Sequence, residues 1–123
     1  MANARPLILA VDDDPDIRAL LEHDLAGAGY DVTAAASAHA ARERLAERAP
    51  NLIIADINMP EENGIDFVAS LREDPARSRI PVLYLTALET DSELVHGTLG
   101  YPLLSKPVVA KELLALVKQQ IRR

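Results

Sequence analysis

The chain has 123 residues, of which 49% are hydrophobic, 3% aromatic and 26% charged, with no cysteine and a formal charge of −6. That length suits one domain with an apolar core of Leu, Ile, Val and Ala, and the acidic balance argues against nucleic acid as a direct partner, because phosphate binding needs a basic face. The missing cysteines exclude a disulfide framework and a thiolate metal site, and no run approaches the roughly 20 apolar residues of a membrane span or the apolar stretch of a signal peptide.

The first apolar run, Leu7–Val11, reads as a strand and is followed at once by Asp12-Asp13-Asp14-Pro15. Asp14 and Pro15 read as a helix start, an acidic cap before a proline at the first helical position. Ile17, Leu20, Leu21 and Leu25 then repeat at the spacing of a buried helix stripe, and Gly27 and Gly29 close it. Asp31–Ala35 is a second strand. Ala38–Arg48 is rich in helix-forming alanine and stops before Pro50. Leu52–Ala55 is a third strand, carrying a lone Asp56 at its end. Asn63-Gly64 is expected to form a turn, after which Ile65, Val68 and Leu71 mark a third helix. Val82–Leu85 leads into Thr86, and Leu103–Leu104 leads through Ser105 into Lys106-Pro107. Leu113, Leu114, Val117 and Ile121 mark a last helix, whose Lys118, Arg122 and Arg123 complement the negative end of the helix dipole. The stretch Glu89–Gly100 is polar, poor in apolar repeats and ended by Gly97 and Gly100.

Strands alternating with helices at this spacing imply βαβ units and a parallel sheet covered on both faces. The expected fold is α/β, a flavodoxin-like (βα)5 three-layer sandwich with five parallel strands in the order 2-1-3-4-5. Its switch point falls between strands 1 and 3, outside whose carboxyl ends ligands bind. Asp12, Asp13 and Asp56 are therefore brought together by topology alone. Carboxylates about 4 Å apart repel by about 4 kcal/mol at an effective dielectric near 20. One of them must take a raised pKa unless a cation sits among them, and an all-oxygen site of this kind suits Mg²⁺.

Four marks in order, each after an apolar strand, resemble the receiver domain of bacterial two-component response regulators (the CheY-like fold). They are Asp12-Asp13, the string Asp56-Ile57-Asn58-Met59-Pro60 with Gly64 beyond it, Thr86-Ala87, and Lys106-Pro107. The resemblance spans essentially the whole chain and implies a phosphorelay signalling switch, not an enzyme, which catalyses only its own phosphorylation and dephosphorylation. Asp56 would be the phosphoacceptor, modified to 4-aspartylphosphate. Asp13, Asp56 and the backbone carbonyl of Asn58 would hold Mg²⁺ (or Mn²⁺), with Asp12 acting through water. Thr86, with Ala87, would bind the phosphoryl group, and Lys106 would pair with its charge. The Lys106–Pro107 bond would be cis, an isomer that costs little before proline.

The resemblance also implies a histidine kinase or histidine phosphotransfer protein as donor and a further, unidentified protein downstream. It implies a cytoplasmic location, no membrane, and a monomer or weak homodimer through the last-helix face. Residues 1–123 read as a single receiver domain with no output domain, or else as a fragment. Receivers commonly carry an aromatic residue where this chain has Leu103. Tyr101 lies just before it, and Tyr84 precedes Thr86. A subset with a degenerate fourth helix shares these traits, so readout is expected through Ala87–Tyr101 and the adjoining last helix with Lys111 and Lys118, without a side-chain flip at Leu103.

Other readings weigh less. Asp12-x-Asp14 also matches the start of a haloacid-dehalogenase-type phosphohydrolase, but no acidic pair follows Lys106 as that class requires. Asp16, Glu61 and Glu62 read as solvated rim charges, with Glu61 or Glu62 at most tuning access to the site. His23, His39 and His96 are isolated and lack metal-ligand spacing.

Overall fold

A computed structural model of the protein describes residues 5–87 and 101–121. The patch Glu89–Gly100, most of the expected Ala87–Tyr101 readout segment, His96, Arg122 and Arg123 lie outside the described residues.

The elements run β1 (Leu7–Val11), α1 (Pro15–Gly27), β2 (Asp31–Ala35), α2 (Ala38–Glu47), β3 (Leu52–Asp56), α3 (Gly64–Arg72), β4 (Val82–Thr86), β5 (Leu103–Ser105) and α4 (Ala110–Ile121). All strand pairs are parallel and the order is β2-β1-β3-β4-β5. The fold is an α/β sandwich with the expected strand order 2-1-3-4-5. Every residue of β1, β3 and β4 is buried, as expected of central parallel strands covered on both faces. The edge strands β2 and β5 are only partly buried.

Strand alternation sends side chains into two cores. One joins Leu9, Val11, Ile53 and Tyr84 to Ala41 and Leu45 of α2 and Phe67, Val68 and Leu71 of α3. The other joins Ile8, Ile54, Leu83 and Leu85 to Leu21 and Leu25 of α1 and Leu113 and Val117 of α4. Each fully buried side chain of this size contributes about 1.5–3 kcal/mol relative to exposure. The sheet is thus anchored from both sides, and its C-terminal edge becomes a rigid platform.

Local chemistry sets the helix starts. The Asp14 carboxylate accepts from the Asp16 N–H at 2.9 Å, directly before Pro15, and the Ser37 hydroxyl accepts from the Ala40 N–H at 3.1 Å. The Asn63-Gly64 pair, expected as a turn, is instead the start of α3. The Asn63 side chain caps it by accepting from the Asp66 N–H at 2.8 Å, and Gly64 is the first helical residue. Glycine is required there by space, since a Cβ at Gly64 would lie 2.3 Å from the Asp56 carbonyl oxygen. The Gly64 N–H donates to the Ile57 carbonyl at 3.0 Å, tying α3 directly to the end of β3.

Candidate phosphoacceptor site

β1 and β3 are hydrogen-bonded neighbours with Val11 opposite Ala55, so the residues that follow, Asp12 just past β1 and Asp56 at the end of β3, lie side by side. Ligand oxygens of Asp12, Asp13 and Asp56 all lie within 4.8 Å of one another. Asp12 and Asp56 are buried and Asp13 is exposed, which gives a pocket with two dry walls and one wet one. Three carboxylates with oxygen donors and an open side fit a hard divalent cation, and the cluster could hold one.

β3 runs one residue further than its apolar stretch and includes Asp56, whose partner in β4 is Leu85. β4 likewise includes Thr86, which pairs with Ser105 of β5 and is fully buried. Lys106 follows β5. Its ammonium stands 3.0 Å from Asp12 Oδ2 and 3.4 Å from Asp56 Oδ2, and its backbone N–H donates to the Thr86 carbonyl at 2.7 Å. The Lys106–Pro107 peptide bond is cis. Ala87 is exposed beyond Thr86, and Asn58 is exposed beyond β3. The Asn58 N–H donates to Asp56 Oδ1 at 3.2 Å.

Burial pushes the Asp56 carboxyl up to about 6, and the Asp12 charge adds to this. The Lys106 ammonium and the Asn58 N–H oppose the rise without cancelling it. Burial works against the Lys106 ammonium too. The hydrogen bond and charge of Asp12, then those of Asp56, outweigh it and leave its pKa above the ordinary lysine value. The pocket is therefore short of positive charge despite the lysine, a state that favours uptake of a cation.

Asp14 caps α1 and is exposed. Two contacts carry no signal in the sequence. The Arg18 guanidinium, one turn into α1, donates to the Asp12 carbonyl at 2.7 Å and so holds the backbone of the acidic pair. Glu62, expected as a solvated rim charge, is half-buried and doubly hydrogen-bonded to Arg42 of α2 at 2.6 and 2.7 Å. Leu103 is half-buried and packs on the core beneath α2 and α3, as does Tyr101. Tyr101 meets the buried Tyr84 ring edge-on, with centroids 6.2 Å apart.

The chain is similar to known proteins over most of its length. The chain is 36% identical over 120 residues to the phosphate regulon transcriptional regulatory protein PhoB of Rhizobium meliloti, covering 96% of this chain but 53% of that protein. It is 39% identical to an uncharacterised 14.6 kDa protein of Leptolyngbya boryana, covering 91% of this chain and 87% of that one. Among solved structures, the chemotaxis protein CheY4 of Vibrio cholerae superimposes with a TM-score of 0.88 at 34% identity, over 94% of this chain and 98% of that one. The chain thus spans about half the length of PhoB and most of the other two. The family model for the response regulator receiver domain matches residues 8–118, and the chain belongs to that family.

Proposed function

We propose that the protein accepts a phosphoryl group on Asp56 from a histidine kinase or histidine phosphotransfer protein and signals by protein–protein contact. The observation that carries this reading is the convergence of three carboxylates within 4.8 Å on a lysine that touches two of them. The phosphoacceptor role is general to the family. Asp56 is the acid of the trio that sits at the end of a central strand, between the Lys106 ammonium and the Asn58 N–H. Its carboxylate oxygen forms the new P–O bond as the P–N bond to the donor imidazole breaks, the imidazole leaving with the electron pair.

The oxygen donors suit Mg²⁺, with Mn²⁺ as a substitute, held by Asp13, Asp56 and the Asn58 carbonyl and through water by Asp12. When bound, it neutralises charge that develops on the transferred group. Lys106 pairs with the phosphoryl oxygens, and the Thr86 hydroxyl, followed by Ala87, binds another of them. We read residues 1–123 as one receiver domain working in the cytoplasm, a switch whose only catalysis is its own phosphorylation and dephosphorylation. PhoB is a transcriptional regulatory protein by name; for this chain we propose a downstream protein partner.

Incubation with acetyl phosphate and Mg²⁺, followed by intact-mass measurement, tests the assignment. The native chain should gain the mass of one phosphoryl group and Asp56→Asn should gain none. An equal gain in both would overturn it and point to Asp12 or Asp13 instead.

A further inference from the structure

Arg42 links several groups outside the acidic pocket. Its two terminal nitrogens bond the two Glu62 carboxylate oxygens at 2.6 and 2.7 Å, and one of them also bonds the Ser70 hydroxyl at 2.8 Å. The guanidinium lies 5.3 Å from the centre of the Phe67 ring. The Ser70 hydroxyl in turn donates to the Phe67 carbonyl at 2.6 Å. One side chain from α2 therefore grips the β3–α3 loop and α3 together.

The gripped loop, Ile57–Asn63, is the one that carries Asn58. The Glu62 N–H donates back to the Pro60 carbonyl at 2.8 Å, around Glu61 at φ +70°. A three-residue turn of this hand is the strained form of the γ-turn, and strained backbone persists only where its surroundings over-determine it. On the outer side the loop faces a cleft lined by Ser37, Ala38, His39, Pro60, Glu61 and Glu62, which leaves it room to relax. Ile57 and Met59 anchor the start of the loop in the core, and at its far end the bidentate pair restrains Glu62, its planar geometry fixing orientation as well as distance.

We propose that Arg42 is a positioning residue for the cation and phosphoryl site. By clamping Glu62 and Ser70 it holds the loop of residues 57–63 in the conformation in which the Asn58 carbonyl would serve as a ligand to a bound cation. This inference rests on the reading of Asp13, Asp56 and Asn58 as metal ligands, and outer partners that orient metal ligands commonly govern affinity.

Charge alone makes a different prediction from position. Arg42→Met removes a positive charge, so a field effect would tighten Mg²⁺ binding. Glu62→Gln removes a negative charge and would loosen it. If the clamp matters through position, both variants weaken Mg²⁺ binding, by about 10-fold each, and the double variant weakens it no further than either single one. Mg²⁺ titration calorimetry on the full chain reads this, with amide hydrogen exchange of residues 57–63 as a second measurement. Faster exchange in that loop, with β1 and α1 unchanged, is the expected accompaniment.

Asp13→Asn serves as the control. If Asp13→Asn abolishes Mg²⁺ binding while Arg42→Met leaves or tightens it, the clamp proposal falls and the site stands. If Asp13→Asn changes nothing, the site reading itself falls. Glu62→Gln keeps size and shape, so the proposal remains testable even if Arg42→Met fails to fold: unchanged Mg²⁺ affinity in Glu62→Gln also overturns it.

Discussion

Two basic side chains in this molecule each join groups from separate elements, and they do so at opposite expense. The Lys106 side chain is 17% exposed and reaches Asp12 and Asp56, whose side chains are 0% and 3% exposed. Arg42 and Glu62 meet with 37% and 31% of their side chains exposed. The Arg42 hydrogen bond holds the Glu62 carboxyl below the ordinary glutamate value, with burial opposing it. At Asp56 the balance is reversed, since burial and the Asp12 charge outweigh the lysine and the carboxyl stands high. A cation next to a carboxylate therefore does not by itself settle the carboxylate. What decides is how much water the pair has lost and how many like charges share it. The Lys106 cluster keeps an unsatisfied negative charge that a metal or a phosphoryl transfer can use, whereas the Arg42 pair is electrostatically content and serves geometry.

Removing each cation should expose the difference most strongly. Lys106→Met strands two buried acids and should lower the free energy of unfolding at pH 7, without divalent cation, by about 3–5 kcal/mol. Arg42→Met breaks a half-exposed pair and should cost about 1 kcal/mol. Urea unfolding of both variants in the presence of a chelator measures this. Equal losses would mean that the Asp12–Lys106–Asp56 cluster is better hydrated than its burial implies.

The next effect is one of pH. The folded-state pKa of Asp56, about 6, lies above its ordinary value of 3.8, so the folded chain holds that proton more tightly than the unfolded one. Its contribution to stability is fully present below about pH 4 and is lost as pH rises through 6. Asp56→Asn should therefore stabilise the metal-free protein at pH 7 by on the order of 2 kcal/mol and flatten that slope. Glu62 runs the other way. Its pKa is lowered on folding, so its contribution is present above the ordinary glutamate range and fades as pH falls through it. Glu62→Gln should remove sensitivity on the acid side only. Urea midpoints from about pH 2 to 8 for the native chain and the two variants test both signs, and matching slopes for the two variants would refute the contrast.

The same contrast explains what was legible in the sequence. Asp12, Asp56, Thr86 and Lys106 each punctuate an apolar strand, and a parallel sheet must deliver strand ends to one edge, so pattern and topology sufficed to gather them. The strand order and both helix layers followed from the same alternation. Arg42, Glu62 and Ser70 are 20 and 28 residues apart and sit in no periodic pattern. Their meeting depends on how α2 and α3 lean on the sheet, which local propensity does not encode. A glutamate next to an exposed loop glutamate reads as solvated until its partner on another element is seen. Arg18 is silent for a related reason: it acts on a carbonyl, and carbonyls leave no mark in a sequence. Asn63-Gly64 carries turn chemistry and capping chemistry at once, and only the approach of the Asp56 carbonyl to Gly64 decides between them.

The smallest predicted effect concerns a polar atom that neither cation serves. Tyr84 is fully buried in β4, and its hydroxyl has no hydrogen-bond partner among the described residues. Burial pushes its pKa up to about 12, against a small opposing influence of the Arg72 charge. Arg72 stacks instead on Tyr101, its guanidinium 4.9 Å from the ring centre, and Tyr101 presents its edge to Tyr84 at 65°. The ring of Tyr84 is thus packed on the core while its oxygen has given up water without compensation from the described residues, which costs about 1–3 kcal/mol for a group of this kind. Tyr84→Phe keeps the ring, the edge-on contact and most of the volume, and it deletes the uncompensated atom. Stability should rise by about 0.5–1 kcal/mol, less than the full penalty because a hydroxyl-sized void remains. Thermal or urea unfolding with and without Mg²⁺ measures it, and the gain should be the same in both, since Tyr84 lies in the core beneath α2 and α3 and not among the acids. A loss of stability would show that the hydroxyl is satisfied in solution. A gain confined to the Mg²⁺-free protein would show that the tyrosine pair and the acidic pocket are energetically coupled, and that the line between a charged site and a settled framework runs deeper into β4 than Thr86.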